Sequence, residues 1–299
     1  MLDNVLTLIA DPDTAPLGAQ DIAMATAAIG KSGGTAGDPD WLSAESACDL
    51  PFAGLSPQDA DPAVRQSLAG RPFDIVAQEA RGRRKDLLVA DMESTVIENE
   101  MLDELAAATG IGDAIADITA RAMAGELDFE GALRARVAML KGLETRALEA
   151  ALSAIRITPG AKTLVATMRA NGAYCALVSG GFLYFTGWVR DRLGFDYDQA
   201  NRLEFAGDAL AGTVSEPILG RDAKREALLR LAEDRGLTPQ DAITVGDGAN
   251  DLAMLAAAGT GVAFRAKPIV AERADARIDH GDLTALLYVQ GYRHDAFVT

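Results

Sequence analysis

The sequence predicts an α/β protein: a Rossmann-like, doubly wound parallel sheet with an inserted helical cap, preceded by a small α+β unit. Three observations carry that expectation. Four short apolar runs, Leu87–Ala90, Tyr174–Val178, Ala242–Val245 and Thr260–Phe264, each end in a polar or glycine-rich turn that leads into helical pattern. Their hydrophobicity is continuous, not alternating, which marks strands buried on both faces of a helix-covered parallel sheet. The first two runs are separated by far more chain than the roughly 30 residues of a simple strand–helix–strand unit, since Asp91 and Ser179 stand 88 positions apart.

Composition bounds the rest. The chain has 299 residues, 49% of them hydrophobic, which is enough for a sizeable core and more than one ordinary domain. A net charge of −16 disfavours a nucleic-acid or anionic-membrane partner. Two Cys and two His support neither a disulfide framework nor tetrahedral zinc. No apolar run approaches the ~18 residues of a membrane span, and the opening MLDNVLTLIADPD carries acid where a signal peptide carries base. A cytoplasmic protein with a small-molecule substrate is expected, its oligomeric state left open, a homodimer included. The surplus carboxylates are either solvated surface or the ligands of a cation.

Along the chain, residues 1–82 read as the small α+β unit, with one strand-like run (Val5–Ala10) and one Ala-rich helix (about Gly18–Ile29). The Gly/Asp/Pro cluster at 31–40 reads only as loop. The basic break QEARGRRKD, residues 78–86, reads as the boundary to a second unit, 83–299. Within that unit, residues about 100–155 form four helical segments, with Asp128 a candidate cap for the third. This insertion follows the first strand directly and would sit over a pocket as a lid. Thr158-Pro159-Gly160 would open the next helix with Pro159 in its first turn.

Ligands of such sheets bind at the carboxyl ends of the strands, where Asp91, Ser179 and Asp247 stand. An isolated Asp91 would be an ordinary helix cap. Here, however, Asp247 occupies an equivalent strand end, with Asp251 four residues on, and converging carboxylates repel unless they share a proton or a cation. With no His or Cys nearby in sequence, a hard cation with oxygen ligands fits, most naturally Mg2+. Such a site generally implies a phosphate substrate, which Ser179, Lys224 and open N–H groups at Gly180 and Gly181 could hold.

DMEST (91–95), SGG (179–181), Lys224 in GRDAKREAL and GDGANDLAML (246–255) resemble, in order, the DxDxT, Ser/Thr, Lys and GDGxND motifs of the haloacid dehalogenase superfamily. SGGFLYFTGWVRDRLGFDY, ANRLEF and FEGALRARVAMLKGL are similar to its phosphoserine phosphatases. The resemblance implies Asp91 as nucleophile, forming an aspartyl-phosphate, and Glu93 as acid and base. It implies Mg2+ held by Asp91, the backbone carbonyl of Glu93, and Asp247, with Asp251 in support. Ser179, Gly180, Gly181 and Lys224 would bind the phosphoryl group. Glu100 would pair with a substrate ammonium and Arg136 with its carboxylate. Met123, Phe129 and Asn250 match further substrate-pocket positions. Read alone, Glu100 and Arg136 are ordinary solvated helix residues, Lys224 a surface lysine, and Met123 and Phe129 lid core. His280 and His294 have no assigned role, and Cys175 reads as an inert core thiol.

One position departs from the pattern: the family has Asp where this chain has Glu93. The acid is the same and its intrinsic pKa nearly so, but the extra methylene moves the carboxyl by more than about 1 Å, and misplacement on that scale costs roughly 100-fold in rate. A tolerated variant, a slow enzyme and an altered chain all remain open. The implied reaction is hydrolysis of O-phospho-L-serine, with another small-molecule phosphatase or a phosphotransferase as the alternative. A weakly active amino-acid-sensing protein is the reading from a different class.

Overall fold

The computed structural model describes residues 2–123, 126–220 and 222–299, except for the side chains of Ala108, Ala122 and Met123. Its N-terminal part is richer than the sequence predicts. It comprises β1 (Asn4–Ala10), α1 (Ala19–Lys31), β2 (Thr35–Ala36), β3 (Asp40–Ser43), β4 (Ala47–Ala53), α2 (Pro57–Ser67) and β5 (Phe73–Glu79). The strands form one antiparallel sheet in the order β2-β4-β1-β5, with β3 also paired to β4. The 31–40 segment is therefore not loop throughout, because Thr35–Ala36 pairs with Phe52–Ala53 and Asp40 opens β3. The second strand–helix repeat, β4–α2–β5, is also present.

Both faces of the sheet are covered, but Asp49 and Pro51 in β4 and Asp74, Gln78 and Glu79 in β5 interrupt the apolar runs, which hid these strands from the local pattern. Leu6, Leu8, Leu50, Phe52 and Ile75 face α1 and α2 in one core. Ile9, Ala47 and Val76 belong instead to the core of the second sheet layer. On that second face Asp49 is buried, accepting from the Thr7 hydroxyl at 2.7 Å and pairing with Arg83 at 2.5 Å. A buried carboxylate in mid-strand survives because both partners are supplied; removing one from such a pair costs about 3–5 kcal/mol.

The second layer begins with β6 (Leu87–Ala90), buried throughout. The cap follows as α3 (Met101–Thr109), α4 (Gly112–Met123), α5 (Phe129–Ala138) and α6 (Thr145–Ala154). Asp128 caps α5 by accepting the Gly131 N–H at 2.7 Å, and Gly110 ends α3 in the left-handed conformation at φ 72°. The two cap connections run side by side as a short antiparallel ribbon. Ile97 bridges Ile157, and the Thr158 N–H donates to Val96 O at 3.0 Å.

After the cap come α7 (Ala161–Ala170), β7 (Tyr174–Phe182), α8 (Leu183–Leu193) and β8 (Tyr197–Asn201). Gly160 is the N-cap of α7, so Pro159 precedes the helix and does not lie in its first turn. The hairpin of β9 (Leu203–Ala206) and β10 (Ala209–Val214) lies against the cap through Gly142 N to Leu210 O at 2.8 Å and Thr145 N to Asp208 O at 2.9 Å. The chain closes with α9 (Ala223–Glu233), β11 (Ala242–Gly246), α10 (Leu252–Leu255), β12 (Thr260–Phe264), α11 (Pro268–Ala271), β13 (Ala276–Ile278) and α12 (Ala285–Val289). The second sheet is parallel, ordered β13-β12-β11-β6-β7-β8. Buried helices and loops cover both its faces, which is why its strands read as unbroken apolar runs.

The sheets meet through the end of the chain. Asp74 in β5, 1% exposed, accepts the backbone N–H groups of Asp279, His280 and Gly281 at 2.7, 3.1 and 2.7 Å. Gln78 donates to Val289 O at 2.7 Å, and Arg293 grips Asp40 with bonds of 2.6 and 2.8 Å. His280 thus contributes its backbone, while Cys175 is fully buried, its thiol pushed up by desolvation. Among the described residues, no helix is long and apolar enough to cross a membrane.

Candidate active site

β6 is flanked by β11 and β7, so the residues at their carboxyl ends converge without any long loop. Asp91 follows β6 directly, and its N–H donates to Val245 O of β11 at 3.0 Å. The chain then makes one wide turn over Met92–Val96, closed by Ile97 N to Met92 O at 2.9 Å, with Ser94 at φ 54°. A left-handed φ is strained for a residue other than Gly. Here it aims the Ser94 hydroxyl at Glu100 Oε1, 2.7 Å away. Sequence reasoning passed over Ser94; its only signal was a small polar residue at a position where the chain must reverse.

Asp91, Asp247 and Asp251 bring carboxylate oxygens within 4.8 Å of one another. Lys224, 3% exposed, reaches Asp91 Oδ1 at 2.7 Å and Asp251 Oδ1 at 2.6 Å. Asp251 is fully buried and also accepts the Gly248 N–H at 3.0 Å, while a side chain at Gly246 would overlap its carboxyl. Burial, and then the charge of Asp251, push the Asp91 carboxyl well above its ordinary value. Burial and Asp251 likewise push Asp247 up to about 6. Lys224 moves up as well: burial opposes this, but the Asp91 and Asp251 charges outweigh it. Three carboxylates against one ammonium leave negative charge that a cation would relieve. The donor set is all oxygen and suits Mg2+.

Glu93 lies between this cluster and the cap. Its Oε1 accepts the Met101 N–H at 2.9 Å, while Oε2 lies 2.9 Å from where a Cβ on Gly181 would be. Glu100, the residue before α3, makes no capping bond, so Glu93 satisfies the first N–H of that helix in its place. Burial, with the Glu100 charge second, pushes Glu93 up to about 7.

Ser179, 2% exposed, stands within β7, which continues through Gly180 and Gly181 to Phe182 before α8 begins. The glycines thus continue the strand and do not open α8, and the Gly181 N–H is not open as the sequence suggested. The Gly181 N–H donates to Ser179 Oγ at 2.9 Å. The Phe129 ring lies 3.6 Å from where a Cβ on Gly180 would be, so an exposed aromatic at the start of α5 covers the strand end.

Arg136 is partly buried on α5, its Nε donating to Ala132 O at 3.3 Å. Desolvation lowers its pKa, opposed by the nearby charges of Asp103, Glu93 and Glu100. Glu100, Arg136 and Glu93 therefore share one electrostatic neighbourhood across the seam between cap and sheet. Asn250 is exposed in the loop after β11, between the two aspartates. The Met123 side chain lies outside the described residues.

The arrangement is a carboxylate cluster with one lysine at the switch point of a parallel sheet, under a helical cap. The haloacid dehalogenase-like hydrolase family model matches residues 88–256, and the chain belongs to this family. Its relatives narrow the comparison. The chain is 41% identical over 229 residues to the phosphoserine phosphatase of Streptomyces coelicolor, over 77% of this chain and 56% of that protein. It spans a little more than half the length of that relative. Among solved structures, a haloacid dehalogenase family hydrolase of Salmonella enterica serovar Typhi superposes over 99% of both chains, with a TM-score of 0.84 and 28% identity. A probable phosphoserine phosphatase of Vibrio cholerae, in unliganded form, covers 98% of this chain and 88% of its own, with a TM-score of 0.80 and 30% identity.

Proposed function

We propose that this chain is a Mg2+-dependent phosphatase that hydrolyses O-phospho-L-serine to L-serine and phosphate, the last step of a serine biosynthesis. The observation that carries the reading is the Asp91–Lys224–Asp251 cluster with Glu93 beside it. Asp91, Asp247, Asp251 and the backbone at Glu93 would hold the ion. When bound, it supplies the positive charge that lets a carboxylate approach a phosphoryl group.

The chain's own residues perform the rest. The Met92 N–H and Lys224 both engage Asp91 Oδ1, which leaves Oδ2 to attack phosphorus. The P–O bond to serine breaks as the Oδ2–P bond forms. A Glu93 raised to about 7 is substantially protonated at neutral pH and donates its proton to the departing serine oxygen. Because Oε1 accepts from Met101, Oε2 is the oxygen that carries this proton. The resulting carboxylate then takes a proton from the water that hydrolyses the aspartyl-phosphate.

Ser179 and Lys224 bind the phosphoryl oxygens, supported by the backbone at Gly180, while the Gly181 N–H is given to Ser179 Oγ. Glu100 and Arg136 take the ammonium and carboxylate of the amino acid, with Phe129 and Asn250 around them. This reading includes division of the chain at residues 82 and 83, a cap over about 100–155 and residence in the cytoplasm. The free, buried Cys48 and Cys175 suit a reducing compartment.

The test is phosphate release from a panel of phosphorylated small molecules in Mg2+, with and without serine or homoserine as acceptor, using wild type and Asp91→Asn. Preference for phosphoserine, abolished in Asp91→Asn, is expected. Activity that survives Asp91→Asn overturns the mechanism, and transfer to the added acceptor in place of release overturns hydrolysis.

A further inference from the structure

Asn201 ends β8 and is 2% exposed; it lies in the ANRLEF segment, but the sequence assigns it no role in the site. Its Nδ2 donates to Gly180 O at 2.9 Å, and its Oδ1 accepts the Leu219 N–H at 2.8 Å. A flipped amide would set donor against donor and acceptor against acceptor, so the two bonds fix its orientation. The register of β7 and β8 explains why the amide is needed. Val178 pairs with Gln199 and Phe182 with Asn201, so four steps on β7 face two on β8. The strand bulges at Ser179–Gly181, and the side chain of Asn201 takes up the Gly180 carbonyl there.

We propose that Asn201 is a positioning residue for the phosphoryl pocket: by fixing the Gly180–Gly181 peptide it sets the direction in which the Ser179 hydroxyl donates. A trans peptide is planar, with its C=O and N–H opposed. Drawing the Gly180 carbonyl towards Asn201 turns the Gly181 N–H the opposite way, where it meets Ser179 Oγ at 2.9 Å. With a lone pair occupied by that N–H, Ser179 keeps its own proton for an anionic oxygen. The other end of the amide holds Leu219, in the segment that leads into α9 and Lys224. One buried side chain thus ties the serine arm of the pocket to the lysine arm.

The inference rests on Ser179 as a phosphoryl contact, and its test does not require phosphoserine to be the substrate. Asn201→Asp keeps the acceptor for Leu219 and nearly the same volume, but places an oxygen against the Gly180 carbonyl. In Mg2+, kcat/KM for an aryl phosphate is expected to fall about 10-fold or more, the scale of one misdirected hydrogen bond to a charged group. Inhibition by inorganic phosphate should weaken in parallel, whereas inhibition by L-serine, which carries no phosphoryl group, should change less than about twofold. In a Ser179→Ala background the same Asn201→Asp change should cost less than about twofold, because the two residues act as a unit.

Additive losses in that cycle, an unchanged kcat/KM in Asn201→Asp, or equal weakening of phosphate and serine would each overturn the proposal. If Asn201→Asp does not fold, Asn201→Ser, which withdraws the reach to Gly180 without adding charge, carries the same cycle. A wild type inactive on phosphoserine but active on the aryl phosphate would sink the substrate assignment alone.

Discussion

The Glu93 carboxyl accepts the Met101 N–H at 2.9 Å, so the residue that departs from the family pattern also secures the first turn of the cap. The extra methylene carries Oε1 to the start of α3 while Oε2 stays beside Gly181. Two substitutions separate these roles. Glu93→Gln keeps an oxygen for Met101 but has no proton to give, and phosphate release should fall about 100- to 10,000-fold with the melting temperature nearly unchanged. Glu93→Asp keeps the acid and withdraws it from Met101, at a cost on the scale of a lost helix cap, about 1 kcal/mol. Its melting temperature should fall by a few degrees. Steady-state kinetics and thermal melts on the two variants check both.

Asp91 should destabilise the metal-free protein, and increasingly so as pH rises. Its folded carboxyl is raised by burial and by Asp251, so ionisation is harder in the folded chain than in the unfolded one. Below the unfolded range near 4 the group is protonated in both states and costs nothing. As pH climbs towards the folded value, the unfolded state alone loses the proton and stability drains away. Asp91→Asn is free of this. In chelator, its melting temperature should exceed that of wild type by more at pH 8 than at pH 5, although it releases no phosphate.

Mg2+ should reverse that deficit in wild type. A ligand that binds only the folded chain stabilises it by about 2.7 kcal/mol at 100 times its dissociation constant. Titrating Mg2+ during thermal melts should raise the wild-type midpoint by several degrees. The rise should be lost in Asp247→Asn and Asp251→Asn, whose carboxylates stand within 4.8 Å of Asp91.

Arg136→Ala should separate recognition from chemistry. The side chain is held on α5 with Nε on Ala132 O, leaving its terminal nitrogens for a carboxylate. Hydrogen bonds to charged groups are worth about 1.5–3 kcal/mol, so KM for phosphoserine should rise roughly 10- to 100-fold. An aryl phosphate, which has no amino-acid carboxylate, should show little change. Equal effects on both substrates would remove the carboxylate role.

Asp74→Ala should loosen the first sheet from the second. The substitution leaves three backbone N–H groups without their acceptor, at about 1–3 kcal/mol for each that stays dry. Limited proteolysis should then cut within residues 80–86 at protease levels that leave wild type intact, a result read directly by mass spectrometry.

The strand ends were the legible part of this chain. Asp91 and Asp247 follow β6 and β11, Ser179 lies near the end of β7, and continuous apolar runs announce strands that neighbours cover on both faces. The first sheet was harder to read because its strands, although covered on both faces, carry polar residues at buried positions. β4 carries the buried Asp49 and also Pro51, and Asp49 is tolerable only because Arg83 and Thr7 reach it. Local pattern cannot show a partner more than 30 positions away. β5 ends in Gln78 and Glu79, which a composition reading assigned to the basic break. Ser94 and Asn201 were hidden because their roles lie in which backbone or side-chain atom they meet.

The contacts of Asp74, Gln78 and Asp40 also set an order of events during synthesis. The first sheet leaves the ribosome early, yet its partners, residues 279–281, Val289 and Arg293, follow 205 to 253 positions later. At roughly 5–20 residues per second, the face bearing Ile9, Ala47 and Val76 waits about 10–50 s for its cover. Nascent chains stalled short of residue 276 should therefore present that face to chaperones, and the segment from 279 to 293 acts as the clasp that ends the exposure.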